Sequence, residues 1–114
     1  MTNHVTSLAL SKRLKELGVE QKSEFYWVKL GSAFDLVYGK SIYSSSLPEG
    51  AISAFLSSEL GEMIGSGFDL YCKDGKWIIQ GGMGPTELRH EGSSESEARG
   101  LLLVYLLEQK LITV

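Results

Sequence analysis

The chain has a single cysteine, two histidines and few cations, and its longest apolar run is the seven residues Leu101–Leu107. Each scarcity excludes something. With Cys72 alone, no intrachain disulfide can close and no thiolate metal site can be assembled. A lone thiol suits a reducing compartment, so the expected location is the cytoplasm. A membrane-spanning helix needs about 20 apolar residues, far more than the chain offers, and no charged-then-apolar leader opens it. A soluble protein with no membrane partner is expected. Lys and Arg total 11 against 14 Asp and Glu, a net charge of −3. Nucleic-acid binders carry a clear positive excess, so nucleic acid is not an expected partner. His90 is the only useful nitrogen donor besides His4, which lies near the terminus, and metal sites need three or four converging donors. No metal or cofactor is expected.

What is present describes a globular chain. At 114 residues, with 43% hydrophobic and 22% charged content, it reads as one domain spanning residues 1–114. Residues 6–18 form an amphipathic pattern, with Leu10, Leu14 and Leu17 on one side and Lys12, Arg13, Lys15 and Glu16 on the other. Thr6 or Ser7 can cap it, and Gly18 followed by Val19 signals a Schellman stop. Glu24–Lys29 reads as a strand with Phe25 and Trp27 on one face and Tyr26 and Val28 on the other. Phe34–Tyr38 can close a hairpin with it across Gly31-Ser32, and residues 39–50 read as a loop.

A middle helix is expected over Ser57–Ile64. Gly61 inside it costs about 1 kcal/mol against Ala, which a close packing contact would offset. Asp74-Gly75 is the strongest hairpin signal, because it supplies the two positive φ angles of a type I′ turn. Pairing outward from it sets Lys73 against Lys76, Cys72 against Trp77 and Tyr71 against Ile78. Thr86–His90 reads as a short further strand. Ser94 and Glu97 have capping-box spacing and open a last helix running to about Lys110. Its seven apolar residues cannot share one stripe at 100° per residue, so it must be covered from several sides. The expected fold is α+β: one antiparallel sheet of four to five strands with three helices packed on it, in the order α-β-β-α-β-β-(β)-α.

Three stretches resemble a known group. Leu10-Ser-Lys-Arg-Leu-Lys-Glu-Leu-Gly18, with Glu20-Gln21 and Ser23-Glu-Phe-Tyr-Trp-Val28, is similar to the opening of small proteins encoded by phages and phage-derived bacterial genome segments. Glu59–Met63 and the Glu-Ala-Arg…Tyr-Leu-Leu-Glu-x-Lys-Leu pattern of Glu97–Leu111 follow in the same order. That group has no assigned activity. The resemblance implies a phage-related setting and a small accessory or interaction protein, and no reaction. Leu56 departs from the Ser or Thr expected before the middle helix.

The candidate chemistry is sparse. Gly81-Gly-Met-Gly84 is followed by Pro85 rather than by a helix, which a phosphate loop requires, so it reads as a turn or bulge. Cys72 and His90, with Glu87 or Glu91, could serve a small hydrolase-like enzyme only if they converge in a pocket. The aromatic set Phe25, Tyr26, Trp27, Tyr71 and Trp77 reads first as cross-strand packing. Beyond that it reads as a protein-binding face around Tyr26 and Trp27, and then as a weak single-strand nucleic-acid stacking face. In the last helix, Leu103, Leu107 and Leu111 share one face, and a homodimer contact there is the further candidate. The function expected is non-enzymatic binding or accessory action through protein–protein contact, with the partner unspecified.

Overall fold

The computed structural model describes residues 4–39, 48–82 and 88–113. Among them run α1 (Leu8–Glu16), β1 (Phe25–Leu30), β2 (Ala33–Tyr38), β3 (Ile52–Ala54), α2 (Ser57–Ile64), β4 (Phe68–Lys73), β5 (Lys76–Gly81), β6 (Leu88–Gly92) and α3 (Glu95–Glu108). The class is α+β, but the strands divide into two antiparallel sheets of three, ordered β2-β1-β3 and β4-β5-β6. The single sheet of four to five strands is thereby corrected. Its cause is β3, whose Ile-Ser-Ala is buried at all three positions and shows no alternation for a sequence pattern to catch. β3 pairs with β1, so the first sheet is complete without β4.

The helix ends follow from their capping chemistry. Ser7 caps α1, its hydroxyl accepting from the Leu10 N–H at 3.3 Å. Gly18 at φ 92° allows the Gly18 and Val19 N–H groups to return to the Lys15 and Leu14 carbonyls, closing a Schellman motif. Thr6, the other candidate cap, is instead buried as a crosslink. Its N–H donates to the Phe55 carbonyl, its hydroxyl accepts from the Phe55 N–H, and its carbonyl accepts from the Trp27 indole at 3.0 Å. α2 starts at Ser57 without a polar cap residue because the Glu59 carboxylate accepts from the Leu56 N–H at 2.8 Å. At α3 only half of the expected box forms. Ser94 accepts from the Glu97 N–H, while the Glu97 carboxylate turns away to accept from the Ser7 N–H at 2.7 Å.

The second hairpin takes the expected register, and the first forms as expected between β1 and β2. Lys73 pairs with Lys76, Cys72 with Trp77 and Tyr71 with Ile78 around Asp74 and Gly75, both at positive φ. Gly31, at φ 72°, turns β1 into β2 and sets Trp27 opposite Leu36. The last strand runs over Leu88–Gly92, two residues past the expected end at His90, and the expected start at residues 86 and 87 lies outside the described residues.

The core gathers around α3, which packs against β5 and β6 on one side and against α1 and α2 on others. Leu102, Leu103 and Leu106 are buried there with Leu10, Leu14, Phe55, Leu60 and Ile79. Close approach is set by glycines. The Gly61 backbone lies under the Arg99 guanidinium, which donates to the Ser57 carbonyl at 2.8 Å, supplying the packing contact expected at that position. A Cβ at Gly100 would come within 2.5 Å of the Leu10 side chain and 3.2 Å of that of Thr6. Substituting Gly100→Ala therefore sets a helix-propensity gain of about 1 kcal/mol against overpacking that typically costs about 1–3 kcal/mol. Urea denaturation of Gly100→Ala is expected to show a net loss, larger for Gly100→Val. A more stable alanine variant would mean that α1 can move away from α3 freely.

Candidate functional site

The register of the first hairpin sorts its residues onto two faces, since residues directly opposite share a face. Tyr26 and Val28 stand with Val37 and Asp35 on one; Phe25, Trp27 and Lys29 stand with Tyr38, Leu36 and Phe34 on the other. The first face is closed at β1. Tyr26 is only 8% exposed, its ring lies against Gly39, and its hydroxyl accepts from the Ser23 N–H at 3.2 Å. Tyr26 thus offers no surface to a partner, which corrects its assignment to a contact face.

The second face is half open. Phe25, Trp27, Phe34 and Leu36 are each partly exposed, and Tyr38 is 38% exposed. Phe25 and Tyr38 meet with ring centroids 5.4 Å apart at 53°, an attractive tilted geometry. The Lys12 ammonium sits 5.1 Å from the Phe34 ring centroid, so α1 screens one end of the face with a cation. Trp27 is fixed by its indole bond to Thr6. Beyond this row the hairpin tip, residues 29–33, is exposed throughout. The face is therefore a rigid aromatic and aliphatic row bordered by Lys12 and Lys29. Two cations on a chain of net charge −3 are few for a polyanion.

The last helix offers less than its sequence suggested. Leu103 is 0% exposed, Leu107 packs partly buried against the core, and only Leu111, at 59%, faces solvent. Of the three leucines expected to make one homodimer face, Leu103 and Leu107 thus turn toward the core while Leu111 lies past the end of the helix, and no continuous strip emerges.

The polar clusters are mostly engaged in holding the fold. An open cleft of about 450 Å³ lies between the residue 20–24 segment and α2, with Glu20, Glu24, Glu59 and Glu62 around Phe55 and Met63. Glu59 is committed, since its second carboxylate oxygen accepts from the Glu24 N–H at 3.1 Å. Among the described residues no three His, Cys, Asp or Glu side chains converge as a metal site would require.

Cys72 and His90 lie on the same face of the second sheet, but on β4 and β6 with β5 between them. Two strand spacings separate their backbones by about 9.6 Å, and the register offsets them further along the strands. Cys72 is exposed, whereas His90 turns its ring toward Tyr105 of α3, centroids 5.4 Å apart. Neither hydrogen-bonds the other. The Gly81-Gly82 turn continues into residues 83–87, outside the described residues.

Phe34, Leu36, Tyr38, Lys12 and Lys29 were not singled out from sequence, although a signal existed. Pairing outward from Gly31-Ser32, as was done from Asp74-Gly75, assigns the first three to the Trp27 face. No protein-family model, curated protein or solved structure matches the chain.

Burial against α3 lowers the His90 pKa from its usual 6.5, because partial desolvation disfavours the imidazolium. The folded state therefore holds fewer protons at this site than the unfolded chain as the pH falls through about 6.5. Stability present above that pH is lost below it, down through the lower folded value. The melting temperature is expected to fall on acidification from pH 7.5 to pH 5.5, with a shallower slope in His90→Leu. An unchanged slope would show that His90 is not the group responsible.

Proposed function

We propose that this chain is a small non-enzymatic binding or accessory protein of a phage-related setting, acting in the cytoplasm through protein–protein contact. The contact surface is the Phe25, Trp27, Phe34, Leu36 and Tyr38 face of the first hairpin. One observation carries this reading. A row of aromatic and aliphatic side chains stands half exposed on a register-locked hairpin, with cations at its border. Interface centres are enriched in aromatic anchors held rigid before binding, because less side-chain freedom is then lost on association. The exposed thiol of Cys72 supports a reducing compartment. The separation of Cys72 from His90 supports a binding rather than a hydrolytic role.

Photo-crosslinking in producing cells tests this reading. Benzoylphenylalanine in place of Phe34 is expected to form an adduct with a second protein species, and the same probe in place of Asp69 on the other sheet is not. Adding Leu36→Ser, in a chain whose far-UV spectrum is unchanged, should lower the adduct yield by about tenfold, as loss of a central apolar contact does. Equal labelling from both positions, or none from position 34, would contradict the proposal.

A further inference from the structure

Three lysines converge on the half-open face of the first hairpin. Lys12 and Lys15 follow each other at i, i+3 in α1, so they share one side of it. That side is turned to the first sheet. The Lys12 ammonium rests 5.1 Å from the Phe34 ring centroid, and the Lys15 ammonium donates to the Ala51 carbonyl at 3.4 Å. Lys29 stands directly opposite Phe34 in the register, which sets their Cβ atoms about 5 Å apart on the same face. Phe34 is thus flanked by two cationic side chains, one over its ring and one across the strand.

No carboxylate neutralises these three. Among the described residues the ion pairs join Arg13 to Glu108, and Lys76 and Arg89 to Glu91. Lys12 and Lys15 meet only a ring and a neutral carbonyl, and Lys29 is exposed. The acids nearest in the chain are placed elsewhere. Asp35 stands on the opposite face of the hairpin, and Glu24 lines the cleft beside α2. Glu16 lies one turn beyond Lys12 and pairs with none of the three lysines. The face therefore joins an apolar row to a local positive charge on a chain whose net charge is −3.

We propose that the segment this face receives is an acidic peptide of a protein partner, with one apolar side chain seated on Phe34 and Leu36 and carboxylates beside it reaching Lys12 and Lys29. Charge complementarity selects that chemistry. Ammonium groups without counterions gain from carboxylates, which also disfavours basic partners by like-charge contact. The apolar row gains from an aromatic or aliphatic anchor. Side chains on one face of an extended segment recur about every 7 Å, at every second residue. The carboxylates accordingly belong within about two residues of the anchor. A nucleic-acid backbone fits less well, because three lysines at an apolar row offer little of the positive excess that phosphate binding draws on. The inference rests on the reading of the hairpin face as a protein-contact surface and deepens it by fixing the partner's charge.

Selection of random short peptides by ribosome display against the full chain tests the proposal, run in parallel on Lys12→Glu/Lys29→Glu. The wild-type chain is expected to enrich peptides of net negative charge around a Phe, Trp or Leu anchor, and the charge-reversed chain to enrich basic ones. By fluorescence anisotropy, the acidic peptides should bind about tenfold more weakly to the charge-reversed chain and about tenfold more weakly to Leu36→Ser. Should the double variant fail to fold, Lys29→Glu alone, near the exposed hairpin tip, is expected to shift the selection in the same direction. Neutral or basic peptides that still depend on Leu36 would overturn the inference and leave the contact face standing. Peptides indifferent to Leu36→Ser, or no enrichment at all, would overturn both. An acidic selection unchanged by charge reversal, or an oligothymidylate that outcompetes the selected peptides, would also overturn the inference.

Discussion

The structure depends on the need to cover α3. Its apolar residues surround the helix too widely for a single layer to hide, and burying them supplies much of the free energy that opposes chain entropy. The chain meets that need from three directions. The second sheet lies along one side, α2 along another, and α1 crosses at Gly100, where any larger residue would meet Leu10. Gly92 does the same where β6 turns into the helix, since a Cβ there would strike the backbone at Glu97 and Ala98. The glycines therefore mark where other elements are pressed against the central helix.

Around this axis the termini of the helices are tied by carboxylates that a local reading assigns to their own helix. Glu97 leaves its own cap to accept from the backbone of Ser7, joining the starts of α1 and α3. Glu59 caps α2 and also accepts from Glu24, fixing the approach to β1. Thr6 completes the set by bonding Phe55 and Trp27 at once. These side chains also explain why the first hairpin is held firmly at its base while its tip and one face stay open. The candidate interaction surface is a consequence of where the crosslinks stop.

Local signals in the sequence are legible and nonlocal ones are not. The Gly18 stop, the Asp74-Gly75 register and the Ser57–Ile64 helix each follow from chemistry within a few residues. The three-residue β3 does not, because burial on both faces removes alternation, and its pairing with β1 spans a long stretch of chain. Missing it fused two sheets into one. Tyr26 and Leu103 were misplaced for the same reason. Periodicity tells which residues share a face, but what covers that face is set by distant elements. The open row at Phe34 and Leu36 was within reach of the turn-register argument, whereas its partial screening by Lys12 was not.

What the protein does, on this account, follows from a rigid scaffold built around one helix that presents an aromatic hairpin. The most direct test is native-state hydrogen exchange across residues 101–107. If α3 is enclosed as described, the amides of Leu102, Leu103 and Leu106 exchange only through global unfolding, and so match the stability measured by denaturant. Fast exchange at those amides in an otherwise folded sample would contradict the account.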